Sequence, residues 1–234
     1  KENRKEPIVQ MGLFIDNNGI PVSHNLYPGN MQDKNTFTDI IKNSINGADL
    51  GRIVVVADNG MNTQENLYLL TDKGNGYIVS KSVKKCWKSY SSWIQDNDGY
   101  INLTNGNEIT FKYKSRIIER TISYTDKETG EKYSKKIKEK EIVYWSKKHY
   151  ERELHQNEKF IEYLESCKEN PDKLKDKQRK SQEFIKVVQT DKKTGEIIKT
   201  KPLVVLLEDK IQKYKDTMGY YMIITSETDE NDKE

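Results

Sequence analysis

Apolar residues in the first eighty positions fall into short runs that turn signals separate. Residues 8–15 and 20–27 flank the turn sequence Asp16-Asn17-Asn18-Gly19 and predict a β-hairpin. Beyond it, helical spacing of apolar residues alternates with β-branched runs. The predicted order is a helix over 33–46, a fully buried strand over 53–57, a helix over 62–70 that Asn62 or Thr63 caps, and a strand over 77–80. This order indicates a mixed α/β sheet.

After position 80 the pattern changes to the alternation of polar and apolar residues that half-exposed antiparallel strands show. The alternation covers residues 100–124 and 132–145. The sequence TDKETGE at 125–131 joins these two stretches, and TDKKTGE recurs at 190–196; both are typical of a hairpin turn with a glycine bulge. The remaining apolar spacing predicts a long helix over 147–169, a short helix over 207–216 and a last buried strand over 219–225.

Charge is unevenly distributed along these elements. The chain is 34% hydrophobic and 33% charged, with a net charge of +3. Residues 81–216 hold 32 Lys and Arg against 23 Asp and Glu, a net charge of +9, and 15 of the 22 aromatic residues. A basic, aromatic-rich segment suits a phosphate backbone and unstacked bases. A solvated Lys/Glu surface is the alternative explanation.

Composition also excludes several classes of protein. No run approaches the roughly 18 apolar residues of a membrane span, and the first ten residues lack the apolar stretch of a signal peptide. Cys86 and Cys167 form neither a metal-ligand spacing nor a disulfide framework, which indicates a reducing cytosol. No glycine-rich nucleotide loop and no zinc-protease motif occurs. His24 is predicted to be a surface or packed residue, and His149 and His155 are predicted to be solvated, without a catalytic role.

Asp58 is the strongest candidate for chemistry. It follows the apolar run 53–57 directly, and Asn59-Gly60 then turns the chain away. Ligands of open α/β sheets gather at the carboxyl ends of strands. A carboxylate held there suits Mg²⁺, which usually takes one or two protein carboxylates. The alternative is an aspartate that only caps the next helix.

Four segments together resemble the DDE transposases of bacterial insertion sequences, the insertion-sequence-four superfamily. They are IVQMGLFIDNNGIPVSHNLYPGN (8–30), VVVADNGMNTQENLYLL (54–70), GYIVSKSVKK (76–85) and GYYMIITSE (219–227). The resemblance covers nearly the whole chain in the right order. It implies a ribonuclease-H-like mixed sheet, here incomplete, that a large β-rich insertion with one long helix interrupts. It also implies a further strand, first in the sequence, which lies within the sheet between the hairpin and the strand over 53–57.

The resemblance further implies three acidic residues that hold two divalent ions, Mg²⁺ or Mn²⁺. Asp58 matches the second of these acids. The first belongs to a strand ahead of residue 8 and the third to a helix beyond the chain. Glu227 and Glu230 precede that helix and are not assigned to it. The expectation is therefore an internal fragment of a transposase that is inactive alone, whose parent cuts and rejoins transposon ends.

The same resemblance implies domain boundaries and binding partners for the chain. It implies a partial catalytic core over 1–81, a basic β-rich insertion over 82–216, and a return strand with an acidic tail over 217–234. DNA is the expected partner, and the complete protein is expected to be a homodimer. The expected location is the nucleoid in the bacterial cytoplasm. No membrane and no small-molecule substrate is expected. The candidate DNA contacts are Lys81, Lys84, Lys85, Lys88, Trp87, Trp93 and Trp145, although each tryptophan also suits a core. The alternatives are a non-catalytic DNA-binding remnant and a metal-dependent nuclease of the same fold.

The charge distribution generates a testable prediction. The affinity of residues 82–216 for DNA should fall steeply as salt rises, because binding to phosphates releases condensed counterions. Fluorescence anisotropy with labelled DNA between about 50 and 200 mM salt measures the slope. Binding that is absent at low salt, or that does not change with salt, would contradict the assignment.

Overall fold

The computed structural model describes residues 9–15, 18–42, 51–171, 173, 181–188 and 203–229, and within these ranges the chain forms ten β-strands and five α-helices. The strands are β1 (Val9–Ile15), β2 (Pro21–Pro28), β3 (Val54–Ala57), β4 (Gly76–Lys81), β5 (Ile101–Asn105), β6 (Glu108–Thr125), β7 (Lys132–Ser146), β8 (Ile185–Val188), β9 (Leu203–Leu206) and β10 (Tyr220–Thr225). The helices are α1 (Asp33–Ile40), α2 (Gln64–Asp72), α3 (Val83–Gln95), α4 (Lys147–Glu169) and α5 (Glu208–Asp216).

Six of these strands form one mixed sheet in the order β3-β4-β10-β7-β6-β5. Strands β3 and β4 are parallel, whereas β5 and β6 are antiparallel. Two further pairs, β1 with β2 and β8 with β9, form separate antiparallel sheets. The predicted α/β class with a mixed sheet is therefore confirmed. The finer ribonuclease-H-like assignment stays a prediction.

Local sequence signals place most of these elements correctly. The hairpin β1–β2 forms with Met11 opposite Leu26, and α4 has the predicted bounds. In the turn between β6 and β7, the Asp126 carboxylate accepts hydrogen bonds from the backbone N–H groups of Glu128 and Thr129 at 2.8 and 3.2 Å. Gly130 completes the turn at a φ of 75°. The second copy of this turn sequence, at 190–196, lies outside the described residues.

The burial of β3 differs from the prediction. Val54 and Val56 are exposed, Val56 to 75%, so the expectation of a fully buried strand is wrong. A run of β-branched residues indicates a propensity to form a strand, whereas the burial of that strand depends on what packs against it. Within the described part of the chain, β3 lies at one end of the sheet. The hairpin also has an exposed apolar face, with more than half of each side chain accessible at Val9, Met11, Leu13 and Leu26.

Helix α3 is absent from the sequence-based expectations. Its buried residues are Val83, Trp87 and Ile94, which recur on one side of the helix. Serine, valine and aromatic residues have lower helix propensity than alanine or leucine, which hides the helix from composition alone. Burial of that apolar side stabilises the helix instead.

The chain divides into two compact units. Unit 1 comprises Lys1–Lys81, Ser115–Ile142 and Ile223–Glu234, and unit 2 comprises Ser82–Lys114 and Val143–Met222. Unit 2 contains a core cluster in which Phe160 and Leu164 of α4 are grouped with Phe184 and with Ile211 of α5. The boundaries at 82 and 216 implied by the family resemblance stay a prediction.

Unit 1 buries charge as well as apolar side chains. Glu139 on β7 is fully buried, and its carboxylate accepts a 2.5 Å hydrogen bond from the Tyr77 hydroxyl. Arg120 on β6 donates to its other oxygen at 3.1 Å. Burial raises the pKa of Glu139 and also that of Tyr77, because each charged form loses hydration.

Glu141 lies two residues further along β7, hence on the same face of the sheet, and is also fully buried. Its Oε1 accepts from the ammonium of Lys81 at 2.8 Å. Its Oε2 accepts from Nε and Nη2 of Arg116 at 2.9 and 2.8 Å. Two cations therefore satisfy one buried carboxylate, and removing that carboxylate leaves both without their charge partner.

Substitution of Glu141 should accordingly destabilise the protein. We expect Glu141→Gln to lower the free energy of unfolding by about 3 kcal/mol, since Lys81 and Arg116 keep their partly desolvated charges. Urea denaturation followed by circular dichroism measures the change. The matched control is Glu119→Gln on β6, an exposed position where the change should stay within about 0.5 kcal/mol. Equal effects at the two positions would contradict the role of the buried pair.

Candidate functional site

Asp58 follows the last residue of β3 and precedes a short 3-10 turn, Asn59–Met61. Its Oδ1 accepts hydrogen bonds from the backbone N–H of Asn59 at 2.6 Å and from the hydroxyl of Ser80 at 2.7 Å. Ser80 belongs to β4, the parallel neighbour of β3. The carboxylate is thus held at the carboxyl ends of two parallel strands, where an α/β sheet presents its ligand-binding groups.

The surroundings of Asp58 favour its ionised form. The hydrogen bond from Ser80 lowers the pKa of the Asp58 carboxyl below its ordinary value, and the bond from the Asn59 N–H lowers it further. The side chain is exposed, so the charge faces solvent. The carboxylate caps the 3-10 turn, whereas α2 has its own cap, Thr63, whose hydroxyl accepts from the N–H of Asn66.

Buried Asn66 anchors the loop that follows Asp58. Its side-chain amide donates to the carbonyl of Met61 at 3.0 Å, and its Oδ1 accepts from the hydroxyl of Thr38 on α1 at 2.6 Å. Asn62 donates to the carbonyl of Ser80 at 3.2 Å. These bonds connect the loop to α1, α2 and β4, so that the backbone around Asp58 is held in place. Sequence patterns alone did not indicate Asn66 or Ser80.

The described residues do not complete the acidic site that the family resemblance implies. Among them, no group of three or more His, Cys, Asp or Glu side chains could hold a metal ion. Glu227 is engaged elsewhere, because its two carboxylate oxygens accept from Nη2 of Arg52 at 2.7 and 2.8 Å. The Arg52 guanidinium lowers the pKa of Glu227. Glu230 lies outside the described residues.

The four candidate lysines have different environments. Lys81 belongs to unit 1 and pairs with the buried Glu141. Lys84, on α3 in unit 2, lies 3.8 Å from a Glu153 carboxylate oxygen and 4.7 Å from the centre of the Tyr214 ring. The remaining two, Lys85 and Lys88, are exposed on α3. Their assignment to DNA stays a prediction.

The three candidate tryptophans lie in unit 2 and pack within the protein. Trp87 is buried on the inner side of α3, and Trp93 packs edge-on against Tyr90 at 6.3 Å between ring centres. Trp145 packs against Tyr150 at 5.8 Å. It also lies so close to Gly219 that a Cβ there would approach its Nε1 to 2.6 Å, and Gly219 has a φ of 76°. A role for these indoles in DNA binding stays a prediction.

In the described part of the chain, no histidine or cysteine belongs to a group of three or more side chains that could hold a metal ion. His24 and His155 are exposed, as expected. His149 is half-buried instead of solvated, since its ring packs on Tyr221 at 4.8 Å and its Nδ1 lies 2.9 Å from Arg152. Cys86 is half-buried and contacts the carbonyl of Val83 at 3.6 Å.

Searches with the chain match no protein-family model, no curated protein and no solved structure. No helix among the described residues has the length and apolar character needed to cross a membrane.

The contact between Ser80 and Asp58 generates a prediction about ionisation. Ser80→Ala should raise the pKa of Asp58 toward the ordinary aspartate value, because the hydroxyl bond is the largest cause of its lowering. Carboxyl ¹³C chemical shifts recorded against pH measure the titration. Ser89→Ala, at an exposed position on α3, is the control and should leave that titration unchanged. An unaltered Asp58 titration in Ser80→Ala would show that the hydroxyl does not set its pKa.

Proposed function

We propose that the chain is part of a DNA transposase of the DDE type, in which Asp58 is one acidic residue of the DNA-cutting centre. The observation that carries the proposal is the position of this exposed carboxylate. It lies at the carboxyl ends of β3 and β4, and a hydroxyl and a backbone N–H keep it ionised. The proposal includes DNA as the partner, a homodimer when the protein is complete, and a location at the nucleoid in the cytoplasm.

The architecture of unit 1 supports this assignment. Strand β3, helix α2 and strand β4 follow one another, and the two strands are parallel, which is the βαβ arrangement of nucleotide- and phosphate-handling α/β sheets. The loop between β3 and α2 carries Asp58, and Asn66 anchors that loop. A fixed carboxylate at this edge is suited to chemistry that depends on positioning.

The apolar surfaces left on unit 1 support the same proposal. The hairpin has an exposed apolar face, and Val54 and Val56 of β3 are exposed. The family resemblance implies a further strand between the hairpin and β3. Such a strand would pair with both through its backbone, and its side chains would lie beside apolar neighbours such as Val56 of β3.

The fit of the described residues to a pair of metal ions is incomplete. Asp58 gives one carboxylate, of the type that Mg²⁺ and Mn²⁺ prefer. Among the described residues, no group of three or more His, Cys, Asp or Glu side chains completes a metal site. The two ions therefore remain an implication of the resemblance. Among the protein groups, Asp58 carries the negative charge, and the hydroxyl of Ser80 orients its carboxylate.

A second candidate is a DNA-binding protein without catalytic activity. The exposed lysines of α3 favour it, since Lys85 and Lys88 present positive charge on one helix without any need for Asp58. Such contacts give sequence-independent affinity for phosphates. A metal-dependent nuclease of the same fold differs from the transposase only in the joining step, so a strand-transfer assay separates the two.

Cleavage by the protein that the whole gene encodes tests the proposal. With Mg²⁺ or Mn²⁺ supplied, the wild-type protein should nick DNA that carries the ends of its own element. Asp58→Asn should reduce the rate by at least about a hundredfold, because the amide lacks the negative charge that the proposal places at the cutting centre. Gel analysis of end-labelled DNA measures nicking and strand transfer together.

The exposed position of Asp58 makes the matched controls informative. Asp58→Asn should melt within a few degrees of the wild type, since surface substitutions change stability little. Asp229→Asn, another exposed aspartate of unit 1, should cut at the wild-type rate. Wild-type cutting by Asp58→Asn would refute the assignment of Asp58. DNA binding without any cutting by the wild type would favour the non-catalytic candidate.

A further inference from the structure

A cleft of about 510 Å³ lies on unit 2, and all of its lining residues belong to that unit. Its volume is within the range of roughly 300–1,000 Å³ that small-molecule sites occupy. Three lysines line it, together with a carboxylate, two aromatic rings and a threonine. The lining residues are Lys84, Glu183, Phe184, Lys210, Lys213, Tyr214 and Thr217.

One wall of the cleft is a single stripe of α5 and the turn after it. Lys210, Lys213, Tyr214 and Thr217 follow the i, i+3, i+4, i+7 spacing that places residues on one face of a helix. Ile211 is the buried residue of this helix and belongs to the core cluster of unit 2. Since packing of Ile211 in the core fixes the rotation of α5, both lysines line the cleft from one face of the helix.

The aromatic floor of the cleft is fixed by its own contacts. The ring of Tyr214 packs edge-on against Phe184 at 5.4 Å, and Phe184 packs in the same manner on Phe160 at 5.6 Å. The Tyr214 hydroxyl donates to Oδ1 of Asn157 at 2.5 Å. Lys84 of α3 extends over the ring, with its ammonium 4.7 Å from the ring centre. The floor is therefore apolar, packed and bordered by cations.

The charge of the lining selects an anion. The lining residues carry three ammonium groups and one carboxylate, that of Glu183, which is a net charge of +2. Outside the lining, a Glu153 oxygen lies 3.8 Å from Lys84, so Lys210 and Lys213 are the main source of positive charge. A concave site with apolar walls focuses the field of such charges. Lysine binds phosphate as a point charge without a fixed fork geometry, so three lysines on two helices suit an oxyanion that carries more than one charge.

We propose that this cleft binds the phosphate groups of a nucleotide, either free or as part of a single nucleic-acid strand. Lys210 and Lys213 contact the phosphate oxygens, Lys84 borders the site, and the sugar or base lies against the apolar floor at Phe184 and Tyr214. Glu183 repels the ligand and keeps its affinity moderate. The site does not depend on the proposed cutting activity, although it adds a DNA contact to that activity if the natural ligand is a strand.

Binding to the whole chain tests the proposal with two probes. The first probe is a fluorescent ATP analogue without metal, and the second is a fluorescein-labelled twelve-residue oligothymidylate. Lys210→Ala combined with Lys213→Ala should weaken whichever probe binds by at least about tenfold, because two charge-assisted contacts are lost. For the oligonucleotide, the slope of log affinity against log salt should also become shallower by about one to two.

Two further variants make the result specific to the cleft. Glu183→Gln should tighten binding by about two- to fivefold, because it removes the repelling charge at an exposed position. Lys159→Ala combined with Lys168→Ala removes the same charge from exposed positions of α4 outside the cleft, and should change affinity less than about twofold.

The outcomes distinguish a free nucleotide from a nucleic-acid strand, and they also decide whether the proposal holds. Cleft-dependent binding of the ATP analogue alone identifies a free nucleotide, and cleft-dependent binding of the oligonucleotide identifies a strand. Equal losses in the α5 and α4 double variants would overturn the proposal, because the affinity would then be a diffuse charge effect. No binding of either probe at low salt would overturn it as well. These assays measure binding without metal and without strand cleavage, so failure of the cutting assay leaves this test intact.

Discussion

The burial of two carboxylates on β7 is the constraint on which unit 1 depends. Glu139 and Glu141 have no access to solvent, and an unpaired carboxylate in such a place would be strongly destabilising. Strands β4 and β7 are both neighbours of β10, so their backbones are roughly 10 Å apart. Only long side chains cover that distance, and Tyr77 and Lys81 of β4 do so. The register of three strands is therefore tied to the pairing of two acids.

This arrangement suits a sequence that is lean in apolar residues. With 34% hydrophobic and 33% charged residues, the chain cannot fill two units with aliphatic side chains alone. Unit 1 uses a satisfied polar network in its interior, whereas unit 2 relies on aromatic packing around Phe160 and Phe184. Charge that is buried must be paired, and charge that stays exposed remains available for ligands. The exposed lysines of α3 and α5 belong to the second group.

Local chemistry made much of the fold predictable from sequence, but long-range packing did not. The turn at Asp126 and Gly130 depends on bonds between near neighbours, and α4 depends on its own periodicity, so both were predicted. The place of Asp58 at the end of a strand was predicted for the same reason, because a strand and a turn flank it, whereas its chemical role stays a prediction. The exposure of Val56 and the pairing of Lys81 with Glu141 depend on strand order, which the alternation of residues does not encode. The cleft of unit 2 joins residues more than a hundred positions apart and was missed.

The same distinction between local and long-range contacts decides which residues can report on function. Asp58 is exposed, and its partners are the next residue and the adjacent strand, so a substitution there removes its charge with little effect on the fold. Lys81 is different, because its ammonium balances a buried carboxylate. Loss of DNA binding on substitution of Lys81 would follow from a damaged interior as readily as from a lost phosphate contact. Evidence about chemistry must therefore come from exposed residues such as Asp58, Lys210 and Lys213, which do not balance a buried charge in the way that Lys81 does.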